Sequence, residues 1–449
     1  MQVDKSIFHH DYKQEPFWWE AARPGDQYAA SLPASTDVLI VGSGYAGLSA
    51  ALELTRAGRE ATVVDALAFG EGASSRNGGG VSAGINLGKG IAGTPGQDGR
   101  PDAGKRLVEN LMGESLAAYE LVKALIAREE ISCHFEGRGR FVGAFTKDHY
   151  RGLPGKAELL NRLIGVDATV VSPEAQRSEI GSDFYHGGMV IKRAGKLHPA
   201  LYHKGLLDAC HRAGVTLCAH TRVSAIDGAP GRFIVRTSRG ECRAEQVVVA
   251  TNGYTGPLTP KLQRRIVPIS SQIIVTEELP EDLARELIPQ GRTISETPRV
   301  TSYYRLLPGD RRVMYGGRAR FQQVPPDVSA TLLYQMMTAR WPQLQGVRIT
   351  HSWSGLIAMT TDSLPHMGVD DGVHYCTGCN GSGIAIMTYL GHQIARRILN
   401  EGQPESAFAG VGFPAVPVPF YRGNPWFLPI VGEYYRYLDR RDRRTSEAA

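Results

Sequence analysis

The chain has 449 residues, of which 42% are hydrophobic and 21% charged, with a formal net charge of +5 at pH 7. That balance is ordinary for a globular protein, and the length allows roughly two or three domain-sized cores. It argues against nucleic acid, because no Lys/Arg stripe with interleaved aromatics appears before the C-terminus. It argues equally against a membrane span, because no run of about eighteen apolar residues occurs.

Residues 1–35 read as an arm before the first strand. There is no apolar core behind a basic start, so the arm is not a secretory signal. Its Phe17-Trp18-Trp19 cluster needs an apolar groove, and the arm is expected to lie against the body. Residues 37–65 then hold the strongest local signal. Val38-Leu39-Ile40-Val41 reads as a buried strand, and Gly42-Ser43-Gly44-Tyr45-Ala46-Gly47 supplies G-x-G-x-x-G. A helix-period run follows up to Gly58. Ala61-Thr62-Val63-Val64 reads as a second strand, and Asp65 and Ala66 follow it, about twenty residues past the last motif glycine. Gly42 permits the tight turn, Gly44 lets a pyrophosphate approach the backbone, and Gly47 lets helix and strand pack closely. The helix N-terminus faces the pyrophosphate, and Asp65 is placed to accept from a ribose diol. The expectation is a dinucleotide site; FAD and NAD remain open on these residues alone.

Directly after this unit runs Gly70-Glu71-Gly72-Ala73-Ser74-Ser75-Arg76-Asn77-Gly78-Gly79-Gly80, too glycine-rich for an element interior. It offers backbone N–H groups and one cation to a ligand, against the plainer reading of a flexible linker. A long amphipathic helix is expected over 104–130, and short strands such as Arg140-Phe141-Val142-Gly143 follow. A helix over 198–213 begins at His198, read as a helix-start residue. Further strands are expected at Val215-Thr216-Leu217, Thr221-Arg222-Val223 and Phe233-Ile234-Val235, then at 246–250 before the turn Ala250-Thr251-Asn252-Gly253.

From 267 to 349, several strands joined by short turns suggest an antiparallel sheet. One is Ser302-Tyr303-Tyr304-Arg305, whose alternation puts Tyr303 and Arg305 on one face and Tyr304 on the other. A helix is expected over 331–340. Strand, glycine turn and helix recur at 373–399, with Gly381-Ser382-Gly383-Ile384 at the helix start. Cys376-x-x-Cys379 has no second C-x-x-C, and the six scattered cysteines read as free thiols in a cytoplasmic protein, with no metal expected.

The opening βαβ unit, GEGASSRNGGG, VVVATNGYTG, WSGLIAMTTDSLPHMG and CTGCNGSGIAIMTYLGHQIA resemble, in order, the D-amino-acid oxidase superfamily of flavoproteins. The Ser-x-Arg-Asn-Gly-Gly loop and the Pro-Trp-Phe-Leu-Pro arm look most like its γ-glutamylputrescine oxidoreductase-type amine oxidases. The resemblance implies an α/β fold, with a Rossmann-like FAD-binding domain interleaved with an α+β substrate domain whose sheet is mostly antiparallel. The FAD-binding domain would comprise 36–100, 190–265 and 350–405, the substrate domain 101–189 and 266–349, and a C-terminal arm 406–449. The cofactor implied is FAD, non-covalent because Gly355 stands where sarcosine oxidases carry the linking cysteine. Ala385 stands where those enzymes have an oxygen-activating lysine, so oxygen and quinone both stay open as acceptors.

By position, the resemblance runs Ala73 to Gly80 beneath the pyrophosphate and along the isoalloxazine. It puts Val223 at the adenine, Ala250, Thr251 and Asn252 over the adenosine, and residues 381–384 at the flavin's pyrimidine edge. The implied reaction moves a hydride from the carbon beside an amine to flavin N5, and water hydrolyses the imine, on a polyamine-derived or other small amine. Alternatives are a D-amino-acid dehydrogenase or glycine/sarcosine-type oxidase, and an electron-transfer flavoprotein subunit working with a partner. No catalytic acid or base is identified. Arg76 is either a cation near the flavin or a structural arginine bonding loop carbonyls. Tyr303 and Arg305 are the candidate substrate contacts: Arg305 grips a carboxylate if it faces the flavin and is scaffolding if it faces solvent or Glu296. The arginines and aromatics after Phe420 suit either peripheral contact with an anionic membrane or a tail packed on its own protein.

Overall fold

A computed structural model describes residues 3–85, 101–400 and 405–448. The expected domain boundary at residue 100 lies outside them. Two large sheets organise the chain. The first runs Val223–Asp227, Phe233–Thr237, Gly240–Val249, Ser35–Val41, Ala61–Val64 and Thr216–Cys218, and Val373–Thr377 pairs with the end of Gly240–Val249. Its central pairings are parallel. Leu39, Ile40 and Val63 are fully buried, as expected of strands covered on both faces, which read as continuous apolar runs.

Helix Tyr45–Arg56 covers this sheet and packs against helix Gly383–Leu399. Their contact is close enough that a Cβ on Gly391 would collide with the Ala46 carbonyl. A glycine here brings two helix N-termini to one place, and no local pattern announces it.

The second sheet has nine strands, in the order Phe8–Lys13, Ile349–Met359, Val267–Thr276, Val313–Gly317, Ser302–Leu306, Thr293–Glu296, Arg140–Gly143, Gly188–Ile191 and Ala168–Val171. All pairings are antiparallel except Phe8–Lys13 with Ile349–Met359 and Thr293–Glu296 with Arg140–Gly143. Tyr304 packs in the core behind this sheet with Tyr315 and Trp341, while Tyr303 packs on the opposite face beside Trp18 and Met314. At the centre of the hidden face sits a saturated ion pair. Glu296 accepts from Arg340 Nη2 at 2.8 Å, from the Ser302 N–H at 2.9 Å and from Tyr185 OH at 2.7 Å.

Several elements differ from the sequence reading, among them the strand expected at Thr221-Arg222-Val223, which begins only at Val223 and runs to Asp227. The arm contributes a strand, Phe8–Lys13, and does more than dock. The helix expected from 331 begins at Pro326, because proline needs no hydrogen-bond donor in a helix's first turn and fits there. The tail folds into the 21-residue helix Leu428–Ala448, whose proline again lies in the first turn. Asp439 fixes it by accepting from the Arg299 and Val300 N–H groups at 3.1 and 3.0 Å, and Ser446 Oγ by accepting from the Lys147 N–H at 2.9 Å.

Candidate active site

Between the two sheets lies a cavity of about 1550 Å³. That exceeds the usual volume for one small ligand and leaves room for a dinucleotide together with a substrate. One part of its wall comes from the turns after the parallel strands and from residues 70–85. The other comes from the nine-stranded sheet and the C-terminal helix, which contributes Leu428, Val431 and Tyr435.

The parallel-sheet part is built almost wholly from backbone. Gly42 sits at φ +107°, and a Cβ there would meet the Ala250 carbonyl at 2.9 Å. A Cβ on Gly44 would lie 3.1 Å from Ser74 Oγ and fill the gap beside the helix start. Gly44 is the helix N-cap and has no side chain to cap the first turn; the Tyr45 N–H donates to Ser74 Oγ at 3.2 Å, and the remaining first-turn donors suit an anionic ligand. Asp65 accepts from the Ser43 N–H at 2.8 Å and from Ser43 Oγ at 2.6 Å through one oxygen, and from the Leu67 N–H at 3.0 Å through the other. Its carboxylate thus braces the turn while remaining on the wall. His203 was not foreseen. Burial lowers its pKa, and its Nε2 lies 2.8 Å from the Ser43 carbonyl, holding the same turn from below.

The glycine loop is pinned by three indoles. Trp18 Nε1 donates to the Asn77 carbonyl at 2.9 Å, Trp19 Nε1 to Ser75 Oγ at 2.8 Å, and Trp353 Nε1 to the Arg76 carbonyl at 2.7 Å. The N-terminal aromatic cluster thus shapes the loop that carries the ligand. Arg76 follows the loop-bonding geometry: Nε donates to the Glu71 carbonyl at 2.7 Å, and the guanidinium stacks 4.4 Å from the Trp19 ring centre. A second helix start closes this part. Ser382 caps helix Gly383–Leu399 with no side-chain hydrogen bond, and residues 381–384 all line the cavity. Asn252, itself at positive φ, ties the two turns together by accepting from the Gly378 N–H at 3.2 Å.

Of the cofactor residues expected from the sequence, all but Gly47 and Ser75 lie on the cavity wall. Gly47 is packed against the Gly42 carbonyl, where any Cβ would clash. Ser75 is buried and turned inward, donating to the Gly70 carbonyl. Tyr303 and Arg305 reach the wall, but the Arg305 guanidinium lies behind the glycine loop. Its Nη1 donates to the Gly79 carbonyl at 3.2 Å and to the Leu197 carbonyl at 2.9 Å, and burial pushes its pKa down to about 9. It faces neither solvent nor Glu296, which is held by Arg340. His198 caps helix Pro199–Ala213 by accepting from the Leu201 N–H at 3.2 Å. Burial and the nearby Arg305 charge hold its pKa down to about 3, which keeps that acceptor free of a proton. All six cysteines are free and buried, and burial raises Cys376 to about 12.

A model of the FAD dependent oxidoreductase family matches residues 37–397. The chain belongs to that family. It is 32% identical over 413 residues to gamma-glutamylputrescine oxidoreductase of Escherichia coli (strain K12), covering 91% of this chain and 93% of that protein. It is 21% identical to glycine oxidase of Bacillus licheniformis over 81% of this chain and 93% of that one. Among solved structures, glycine oxidase from Geobacillus kaustophilus superposes with a TM-score of 0.70 at 20% identity, covering 86% of this chain and all of that one. The protein is therefore an FAD-dependent oxidoreductase, and the cradle described above fits FAD. Gly42, Gly44 and the first turn of the following helix would hold the pyrophosphate, and Asp65 a ribose. Among the described residues no helix is long and apolar enough to cross a membrane.

Proposed function

We propose that the protein oxidises a small amine at the carbon beside its nitrogen, giving an imine that water hydrolyses to a carbonyl compound and a shorter amine or ammonia. The observation carrying this reading is the shared cavity: one wall fits FAD, and the other is lined by aromatic, apolar and basic side chains of the nine-stranded sheet together with residues of the C-terminal helix. Bound FAD would supply the two-electron acceptor that takes the hydride. The chain's own residues orient the amine and exclude water. Tyr303 is held by Ser271 Oγ at 2.9 Å and stands on the wall next to Gly78, and Val431 and Tyr435 of the C-terminal helix line the same cavity. Similarity to an oxidoreductase named for gamma-glutamylputrescine favours a polyamine-derived substrate over a free amino acid. Anaerobic mixing with an amine panel tests this. Loss of the yellow flavin absorbance with acylated diamines supports it, and bleaching by D-amino acids alone overturns it.

A specific observation bears on the electron acceptor. On the C-terminal helix Ile430, Tyr434 and Tyr437 share an exposed face, 70%, 57% and 56% accessible, that continues into exposed Arg441 and Arg444. Aromatics beside arginines suit an anionic bilayer surface. The reading is peripheral contact there, with a membrane quinone as acceptor. Flotation with vesicles containing phosphatidylserine should carry the wild-type protein upward and leave the Ile430→Ser/Tyr434→Ser variant behind; equal flotation contradicts it.

A further inference from the structure

The N-terminal arm lies outside the region that matches the family, and it builds a feature the cavity does not use. Strand Phe8–Lys13 sets Phe8 opposite Ile349 and Lys13 opposite His351. Between those partners the arm spends residues 9 to 12 where its neighbour spends only Thr350, so the arm bulges outward. Both feet of the bulge are held. The Phe8 and Tyr12 rings lie 4.1 Å apart and pack on the core that contains Trp341 and Ile349, and Tyr12 OH is hydrogen-bonded to Ser352 Oγ. In a regular strand His9, His10 and Asp11 would alternate between faces. Here they converge, with His9 partly buried and the other two exposed.

One ligand atom from each of the three lies within 4.8 Å of the others. His10 Nε2 is 3.0 Å and His9 Nδ1 3.9 Å from the same Asp11 Oδ2, and the two imidazoles stack with ring centres 4.0 Å apart. A tetrahedral ion with ligands at roughly 2.0–2.1 Å needs ligand atoms about 3.3–3.4 Å apart, so side-chain rotation alone closes this set around one. His9 Nδ1 accepts from the Asp11 N–H at 3.3 Å, which uses the lone pair a metal takes and keeps that nitrogen free of a proton. Two basic side chains stand near the arm and are engaged. Lys13 pairs with Glu20 at 2.6 Å, and Arg348 Nη1 donates to the Ser6 and Phe8 carbonyls at 3.3 Å.

We propose that His9, His10 and Asp11 form a preformed surface site for one divalent transition-metal ion of the zinc, nickel or copper class. Two imidazoles and one carboxylate are donors those ions prefer, whereas magnesium and calcium take all-oxygen sets. Three protein ligands leave a fourth position to water. The cysteine spacing pointed to no metal, and this site uses none of the thiols. Because the three ligands are consecutive, the unfolded chain can chelate as well, so metal should move global stability little. What the fold adds is preorganisation: Phe8 and Tyr12 hold the bulge in the shape that brings the donors together.

The test titrates the flavin-loaded, full-length protein with ZnCl2 or NiCl2 by calorimetry, with MgCl2 and CaCl2 as controls. The wild type should bind one zinc or nickel ion per chain at this site and neither control ion. His10→Gln and Asp11→Asn should each weaken binding at least about tenfold, the low end of the cost of losing even an outer-shell partner, and His9→Gln/His10→Gln should abolish it. Tyr12→Ala keeps all three ligands but frees one foot of the bulge, and should weaken binding by about three- to tenfold. With copper(II), the electron paramagnetic resonance spectrum should show coupling to two imidazole nitrogens, lost in the double variant. None of the three ligands lines the cavity, so flavin content and anaerobic bleaching should be unchanged in the ligand variants. Unchanged binding in His9→Gln/His10→Gln places the ion elsewhere and overturns the proposal. Equal affinity of Tyr12→Ala and wild type also overturns it, since the histidines would then act as a flexible pair with no built site. So does the absence of both a saturable heat and a two-nitrogen copper signal in the wild type.

Discussion

The two parts of the cavity are built by different means. Around Gly42 and Gly381 the wall is backbone: turns, helix starts and one braced carboxylate, assembled from contiguous stretches of chain. Around Tyr303 and Arg318 the wall is side chains, brought together from two strands, a helix start and the C-terminal helix. A site of the first kind depends on the absence of Cβ atoms at a few positions. A site of the second kind depends on which charges find partners.

Breaking each part should therefore fail differently. The largest loss is expected where a buried partnership is cut. Glu296→Gln leaves Arg340 uncompensated in the core behind the sheet and should cost about 3–5 kcal/mol, read from the urea midpoint. On the backbone side, Gly47→Ala drives a methyl into the Gly42 carbonyl. It should abolish flavin retention at a stability cost of about 1–3 kcal/mol, read as 450 nm absorbance per protein. Lys196 sharpens the contrast, because burial pushes its pKa from 10.5 down to about 8. The unfolded chain then holds more protons than the folded one between pH 8 and 10.5, so this group makes stability rise with pH across that window. Lys196→Met should raise stability at pH 7 by up to about 3 kcal/mol, and the gain should vanish by pH 10.5 in thermal melts. The smallest effect is expected at Gly355, where a Cβ meets only the Arg76 side chain, its Cβ at an ordinary 3.5 Å and its Cδ at 4.0 Å. Gly355→Ala should change flavin content little and stability by less than about 0.5 kcal/mol.

The same division explains what could be read beforehand. The glycine turn, Asp65 and the second helix start were legible because each is a contiguous pattern whose conformation only certain residues allow. The strand at 302–306 was legible from alternation, as were Tyr303 and Arg305 on one face. Alternation says nothing about charge partners, however, so Arg305 behind the loop and Arg318 open to the cavity look alike in sequence. His203, Gly391 and the three indoles act across separations of fifty residues or more. The C-terminal helix was obscured by its proline and by arginines and aromatics that suit a membrane-contacting or a packed tail alike.

The central claim is that one cavity holds FAD end to end, with Asp65 and the turn at Val223 gripping the adenosine. The most direct measurement is titration of the apoprotein with FAD and with FMN, followed by quenching of flavin fluorescence. The account predicts one FAD per chain and binding of FMN at least about 100-fold weaker, since FMN lacks everything that Asp65 would hold. Equal affinity for the two flavins would contradict it.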